Sequence, residues 1–467
     1  MKLLLTILTL LISFGLSAQS LCFYNPNEGA IYHNGSSGAI YDVTYGDFNS
    51  DDHVDIVTAN SEAANISFIP GYGDGSLGSA DTISLSGILF CIASADLDGD
   101  GQLDIVTANN TTAFVLLGNG DGTFQPADSY EAGGSPSRVY CKDINNDNIP
   151  DIVEACGDGI FVLLGSGDGS FAPATGYLSG LAANDVAIAD FDNDSVLDIV
   201  STTHLTLTNS ELSFLKGNGD GTFAPSSSIL SITYPDNFIA GITSMDIDGD
   251  GHADLMVANS GNSIKRVEIY FGNGNGTFGD PVFYSTHSRP FYIYLTDADN
   301  DLIEDIVVEE GNGFTVLTGN SDGTFDPYEH FPSVSTPNSL AIEDFNEDGQ
   351  MDIISPSAYF GSPLIAVNLN CSETTGVDSH FQDENESVTI FPNPFSTHTN
   401  IEFSNSINDG EVELYIYDVE GRKARVLKHF SGRKVELSRD NLPGGIYFIQ
   451  LMQNNKTIAT EKLIIMD

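Results

Sequence analysis

One acidic phrase, repeated seven times, constrains this chain more than any other feature. Its clearest copy runs Asp96-Leu97-Asp98-Gly99-Asp100-Gly101-Gln102-Leu103-Asp104, read as D-x-D-x-D-G-x-x-D, and the β-branched pair Ile105-Val106 follows it. The other copies begin at Asp47, Asp143, Asp190, Asp246, Asp297 and Asp344, at intervals of 47 to 56 residues. A recurring period of that length marks a repeat architecture, in which each unit buries its apolar face against its neighbours.

The phrase is chemically suited to a cation. Oxygens at positions 1, 3, 5 and 9 of a tight loop can converge on one point, and a small residue at position 6 turns the chain back. The backbone carbonyl of position 7 can join them, as in a shortened EF-hand loop. The candidate ligand sets are Asp47, Asn49, Asp51, His53 and Asp55; then Asp96, Asp98, Asp100, Gln102 and Asp104. Next come Asp143, Asn145, Asp147, Ile149 and Asp151, and Asp190, Asp192, Asp194, Val196 and Asp198. The last three are Asp246, Asp248, Asp250, His252 and Asp254; Asp297, Asp299, Asp301, Ile303 and Asp305; and Asp344, Asn346, Asp348, Gln350 and Asp352. The fourth residue named in each set sits at position 7 and contributes its carbonyl, His53 and His252 included.

An all-oxygen set favours a hard cation over zinc or copper, and an irregular cage suits calcium better than magnesium. One such phrase alone would pass for an ordinary acidic turn. Seven would not, since carboxylates about 4 Å apart repel by up to about 4 kcal/mol per pair at an effective dielectric near 20. Position 6 is Gly101, Gly251 or Gly349 in three copies and Asp52, Asn148 or Ser195 in three more. Leu302 tolerates the turn least, so the copy at Asp297 is expected to be the weakest or most distorted.

The ends of the chain read differently. Met1-Lys2, an apolar run from Leu3 to Leu16 and small residues at Ser17-Ala18 predict a signal peptide over residues 1–18. No other run is long and apolar enough to span a bilayer. The formal net charge is −50, and all but three of the position 1, 3, 5 and 9 residues are Asp. Nucleic acid is therefore an unsuitable partner. Hydrophobic residues at 41%, with 28 Phe and 18 Tyr, argue for a packed core rather than acidic disorder. Of the five Cys, Cys22 and Cys371 flank the repeats, and a bond between them would staple the array shut in an oxidising compartment. Cys91, Cys141 and Cys156 read as buried thiols.

Each period holds a strand into the acidic loop, such as Ser137-Arg138-Val139-Tyr140, and a strand out of it, Asp151-Ile152-Val153-Glu154. A third strand, Gly159 to Leu164, ends at a glycine-rich turn, and a fourth follows. The turn reads Gly118-Asn119-Gly120-Asp121-Gly122-Thr123-Phe124 and recurs at Gly165, Gly217, Gly272 and Gly319, with a degraded form at Gly71. Four short strands per period make a propeller blade. The last period, from Asn338 to Asn370, lacks its turn and fourth strand; the segment Cys22 to His33 is expected to supply that strand and close the ring, removing an open edge.

These loops and turns resemble the FG-GAP/VCBS repeats of integrin-α-type propellers over about Cys22 to Cys371. The resemblance implies an all-β, seven-bladed propeller over residues 19–371, with calcium in the loop between the first and second strands of each blade, up to seven sites.

Residues 372–387 form a polar linker. Nine of the sixteen Lys and Arg then fall between Val388 and Asp467, where seven strand-like runs fit a small β-sandwich of Ig-like type. Phe391-Pro392-Asn393-Pro394, Ile416-Tyr417-Asp418-Val419-Glu420-Gly421-Arg422, Leu442-Pro443-Gly444-Gly445-Ile446-Tyr447 and Lys462-Leu463-Ile464-Ile465 are similar to the type A C-terminal domain of type IX secretion in Bacteroidetes. That resemblance implies partners in the type IX machinery, removal by a sortase-like peptidase, and a secreted or surface-attached product.

Catalytic signatures find no support. Gly319-Asn320-Ser321-Asp322-Gly323 matches a G-x-S-x-G elbow, but its sister turns read G-N-G-D-G. The expectation is a non-enzymatic, calcium-binding surface protein for adhesion or recognition of an extracellular protein or glycan. The alternative is a polysaccharide-active lyase or hydrolase, or a subunit of one. The recognition surface is expected on the face away from the acidic loops. Extra length is expected there around Thr202 to Glu211 and Ser226 to Asn237, and the basic pair Lys265-Arg266 on a second long connection reads as a solvated pair rather than a grip for an acidic glycan or protein.

Overall fold

The computed structural model describes residues 21–371, apart from 24–30, 34–38, 62, 207–208, 234–237, 262–263, 334–337 and 358–363, and then the strands and short connections between Val388 and Ile465. The expected signal peptide and linker lie outside the described residues. The chain divides into two compact units, Met1–Ser372 and Glu373–Asp467.

The first unit is built from antiparallel sheets of four strands, seven among the described residues, six of them in sequence order. Blade 2, for example, takes Cys91–Ala95, Asp104–Ala108, Thr112–Leu116 and Asp128–Glu131 as its first to fourth strands. Where burial is described, the second strands are buried almost throughout, as in Asp104–Ala108, and the fourth strands are largely exposed, as in Asp128–Glu131. Burial on both faces follows from packing each blade between two others. One cluster sets Val57 and Phe68 of blade 1 against Ile92 and Ile105 of blade 2. Similar clusters fill each successive gap. The last sets Ile40 and Ile56 of blade 1 against Ala341 and Ile354 of blade 7, which joins the end of the array to its beginning.

Blade 7 takes only three strands from its own period: Ala341–Glu343, Asp352–Pro356 and Leu364–Asn368. The fourth is Ile31–His33, paired antiparallel through Ile31 to Ala366 and His33 to Leu364. Cys22 and Cys371 form a disulfide, and Cys91, Cys141 and Cys156 are free thiols, two of them buried.

Two expectations are corrected. The longest interval does not lengthen loops in the way foreseen: Asp198–Thr206, Asn209–Leu215 and Ser227–Thr233 are extended strands of blade 4. Thr202, Thr203, Leu212 and Leu230 suit a pleated surface, and pairing the longer strands satisfies their backbone. The Lys265-Arg266 pair is not wholly solvated either. Arg266 opens a third strand, pairs with Glu268 at 2.7 Å and lies over the Phe283 ring at 3.7 Å.

The second unit holds a three-stranded sheet of Val388–Phe391, His398–Ile407 and Gly432–Ser438. Its other sheet has four strands, Lys423–Lys428, Val412–Asp418, Gly445–Gln453 and Lys456–Ile465. Ile401 and Leu437 from the first and Leu414, Ile416, Ile449 and Leu463 from the second share one buried core.

Candidate metal centres and central channel

The acidic loops share a set of hydrogen bonds, except that in the loops at Asp190 and Asp297 the position 5 N–H donates to position 1 instead of position 3. The position 1 carboxylate accepts from the N–H of position 6, as Asp96 does from Gly101 at 2.9 Å. Position 3 accepts from position 5 and position 5 from position 7, as Asp98 does from Asp100 at 3.1 Å and Asp100 from Gln102 at 2.8 Å. Position 9 is buried and clamps two segments at once. Asp104 accepts from Leu97 N–H at 2.8 Å and from Gly118 N–H, the start of the glycine-rich turn, at 2.7 Å. Asp55, Asp151, Asp198, Asp254, Asp305 and Asp352 repeat that clamp.

These bonds hold the carboxylates together despite their charge. In the loops at Asp96, Asp190, Asp246 and Asp297, oxygens of three carboxylates lie within 4.8 Å of one another. Burial pushes Asp104 up to about 6 and Asp305 up to about 7. The Oδ1 atoms of Asp192 and Asp299, both position 3, are buried and make no hydrogen bond. An inward, orphaned carboxylate oxygen among others is what an oxygen-coordinated cation requires, so the residues present fit calcium.

The loops differ in how far they relieve this repulsion themselves. In blade 4 the Lys216 ammonium donates to Asp192 and, at 2.8 Å, to Asp194. In blades 1 and 7 the amides of Asn49 and Asn346 donate to Asp51 at 3.0 Å and to Asp348 at 3.1 Å. The loop at Asp297 keeps the position 6 bond, Leu302 N–H donating to Asp297 at 2.8 Å with Leu302 at a φ of 72° and 91% exposed, while Asp301 N–H donates to Asp297 at 2.9 Å and leaves Asp299 Oδ1 unpartnered. Its unfavourable residue strains one position and still makes the turn.

Position 7 side chains leave the cage, as expected, and reach position 4 of the preceding blade's loop. His53 meets Glu347 at 2.5 Å, Gln102 accepts from Ser50 at 2.8 Å, and His252 meets Asn193 at 2.7 Å. Position 4 also adopts a left-handed backbone, as in Ser50 at 59°, Asn193 at 59° and Glu347 at 57°.

At blade 7 the ends of the chain replace the missing turn. Elsewhere Gly118 bridges to Phe124 and Gly319 to Phe325; here Asn370 bridges to Phe23. Asn370 N–H donates to Asp352 at 2.7 Å, as the turn glycines do to their own clamps. The Phe23 ring packs edge-on against Phe314 and Phe331, with centroids 5.2 and 4.9 Å away. The Cys22–Cys371 bond stands where the other blades have a continuous turn.

The first strands line a central channel that the sequence did not reveal. Arg138 of blade 3 crosses it to Asp42 of blade 1 at 2.8 Å and stacks over the Tyr292 ring of blade 6 at 3.4 Å. Both oxygens of Asp42 are used, by Arg138, Val43 N–H and Ile92 N–H. Those of Asp185 are used by the Tyr140 hydroxyl, Val186 N–H and Ile242 N–H. Each carboxylate thus ties its own blade to the next. Arg138 and Tyr292 border two chambers. One of about 360 Å³ lies toward the acidic loops, with Tyr45, Lys142 and Ser244 on its wall, and one of about 200 Å³ lies toward the other face. Gly319 to Phe325 forms a turn like its sisters, so the G-x-S-x-G match has no strand-to-helix setting.

Comparison with known families matches the FG-GAP-like repeat over 47–107, 96–154, 143–201, 204–257, 246–308 and 299–355. Residues 389–466 match a secretion system C-terminal sorting domain. Comparison with curated proteins gives no match. Among solved structures, the chain is similar to an Agrocybe aegerita lectin described as recognising non-reducing terminal N-acetylglucosamine. That similarity has 19% identity and a TM-score of 0.44, and covers 85% of this chain and 98% of the lectin. It is also similar to BBS1N from a complex with ARL6DN, at 10% identity and a TM-score of 0.49, covering 76% and 98% of the two chains.

Proposed function

Because the chain belongs to the FG-GAP-like repeat family and ends in a type IX sorting domain, we propose that it is an exported, calcium-loaded propeller that recognises a ligand at the cell surface. The observation that carries the calcium reading is the convergence of carboxylates around orphaned oxygens, seen most openly at Asp297, Asp299 and Asp305. Bound calcium supplies the positive charge that these loops lack. Positions 1, 3, 5 and 9 and the position 7 carbonyl would hold it, and position 9 also keeps the loop and the glycine-rich turn in register. The loops at Asp96, Asp246 and Asp297, which carry neither an internal lysine nor an Asn at position 3, would depend on it most. Residues 388–467 would engage the secretion machinery and be removed by a sortase-like peptidase, leaving the propeller released or anchored at the surface.

Recognition belongs to the face opposite the loops. Exposed Ile88 and Phe238 sit just before first strands at that end, and scattered apolar groups at a rim of connections suit a ligand surface. The reading is non-catalytic: in the chamber toward the acidic loops both carboxylates, Asp42 and Asp185, are saturated by structural bonds, and a lone carboxyl at Glu309 in the other chamber supplies no acid–base pair. Arrays of glycans and surface proteins, probed with calcium and with EGTA, test it. Calcium-dependent binding of a defined ligand class, unchanged in mass after incubation, supports the proposal; turnover of a polysaccharide in the same assay overturns the non-enzymatic reading.

A further inference from the structure

The chamber on the face away from the acidic loops contains one residue that neither the fold nor the loops explain. At the fifth position of the second strand, blades 1, 2, 3 and 5 have Ala59, Ala108, Ala155 and Ala258, all buried between blades. Blade 6 has Glu309 there, fully buried, with neither carboxylate oxygen hydrogen-bonded. Burying an ionisable group without a partner costs several kcal/mol, so a chain that replaces alanine in this way has given the position a task.

The surroundings define the partner. Glu309 lines the chamber of about 200 Å³ together with Tyr41, Phe90, Phe291, Tyr292 and Asn338. The four aromatic residues are half-buried, so the chamber communicates with solvent. Arg138 borders the chamber too, but it is committed to Asp42 and to the ring of Tyr292. Burial holds the Glu309 carboxyl well above the usual carboxylate range, so an unpartnered carboxyl stands in an aromatic enclosure and becomes charged only when a cation pairs with it. A divalent metal would need several more oxygens than Glu309 and Asn338 offer. An alkylammonium group needs one carboxylate and π-faces, and both are here.

We propose that this chamber binds a primary ammonium group on a short aliphatic stem, with Glu309 as its counter-ion. The nitrogen donates to the Glu309 carboxylate and to the side-chain oxygen of Asn338, and the stem lies against Tyr41, Phe90 and Phe291. A net charge of −50 steers cations toward the molecule. This deepens the recognition reading by naming the ligand's chemistry, and it does not depend on the calcium reading, since no chamber residue belongs to an acidic loop.

The experiment is a titration of the calcium-saturated full chain with n-butylammonium, with n-butanol and n-butyrate as controls, read by calorimetry and ligand-observed NMR. Glu309→Ala installs the residue that the sister blades carry at this register, and Glu309→Gln keeps the side chain's shape. Saturable binding of butylammonium alone is expected, weakened about tenfold or more in both variants, as for loss of a charge-assisted hydrogen bond. No binding to the parent chain, or equal binding to the parent and to whichever variant melts cooperatively near the parent's temperature, overturns the proposal. An EGTA-insensitive melt would instead sink the calcium reading and leave this one standing.

Discussion

Lys216 occupies the place before the glycine-rich turn where other blades carry Pro70, Leu117, Leu164, Phe271, Thr318 and Leu369, and it brings a cation into its own acidic loop. Replacing it by an uncharged chain of similar length returns that loop to the condition of its sisters. Lys216→Met is expected to add one bound calcium per chain at saturation, counted by equilibrium dialysis; an unchanged count would make Lys216 a surface pair of no consequence. A second residue-scale prediction concerns pH. Glu154 is fully buried on the second strand of blade 3, where blades 1, 2 and 4 have Thr58, Thr107 and Ser201. Burial pushes its carboxyl from 4.5 up to about 7. Because the folded chain holds a proton that the unfolded chain has released, this group's contribution is full below pH 4.5. It is lost as pH rises through about 7, by at most roughly 3 kcal/mol. Glu154→Gln removes that slope, so denaturant unfolding should show the variant gaining on the parent between pH 5 and pH 8. A constant difference across that range would contradict the assignment. The repeated phrase made position 6 legible as a left-handed turn, but not position 4. Ser50, Asn146 and Glu347 look ordinary in sequence, and only the neighbouring loop's side chain reveals why the chain bends there.

At the scale of the element, the closure of blade 7 shows one structural role filled by two kinds of connection. Six blades hold their third strand to their fourth with a turn; the seventh does so with Phe23, Cys22 and a bond to Cys371. Cys22→Ser is expected to cost about 2–5 kcal/mol, and Phe23→Ala about 3–5 kcal/mol. Since both act on the same seam, their combined cost should fall well short of the sum. Additive losses in a double-mutant cycle, followed by thermal melting, would mean that the ring is not closed there. The need for an outer strand on the last blade could be read from a turn count that fell one short of the loops. The seat of Phe23 could not, because it depends on contacts with Phe314 and Phe331 far along the chain. The same limit hid the channel, where Arg138 and Asp42 lie 96 residues apart. Thr202 to Glu211 was misjudged for a local reason: an insertion in a repeat reads as a loop unless its β-branched residues are set against a partner strand.

At the largest scale, the first unit is a ring whose gaps are filled by apolar clusters and whose loop face gathers like charges. Packing alone accounts for the blades, and the position 9 clamps account for the register of their turns. Neither balances the carboxylates, and on the proposed reading a bound cation does. Extracellular calcium modules bind at roughly 0.1–1 mM, and several such sites filled together stabilise the fold by mass action. The direct measurement is the thermal melt of the propeller in about 5 mM calcium, roughly five to fifty times those dissociation constants, and in excess EGTA. The account predicts a melting temperature that falls by several degrees or more on chelation and returns when calcium, but not magnesium, is restored. A melt that is the same with and without calcium would contradict it.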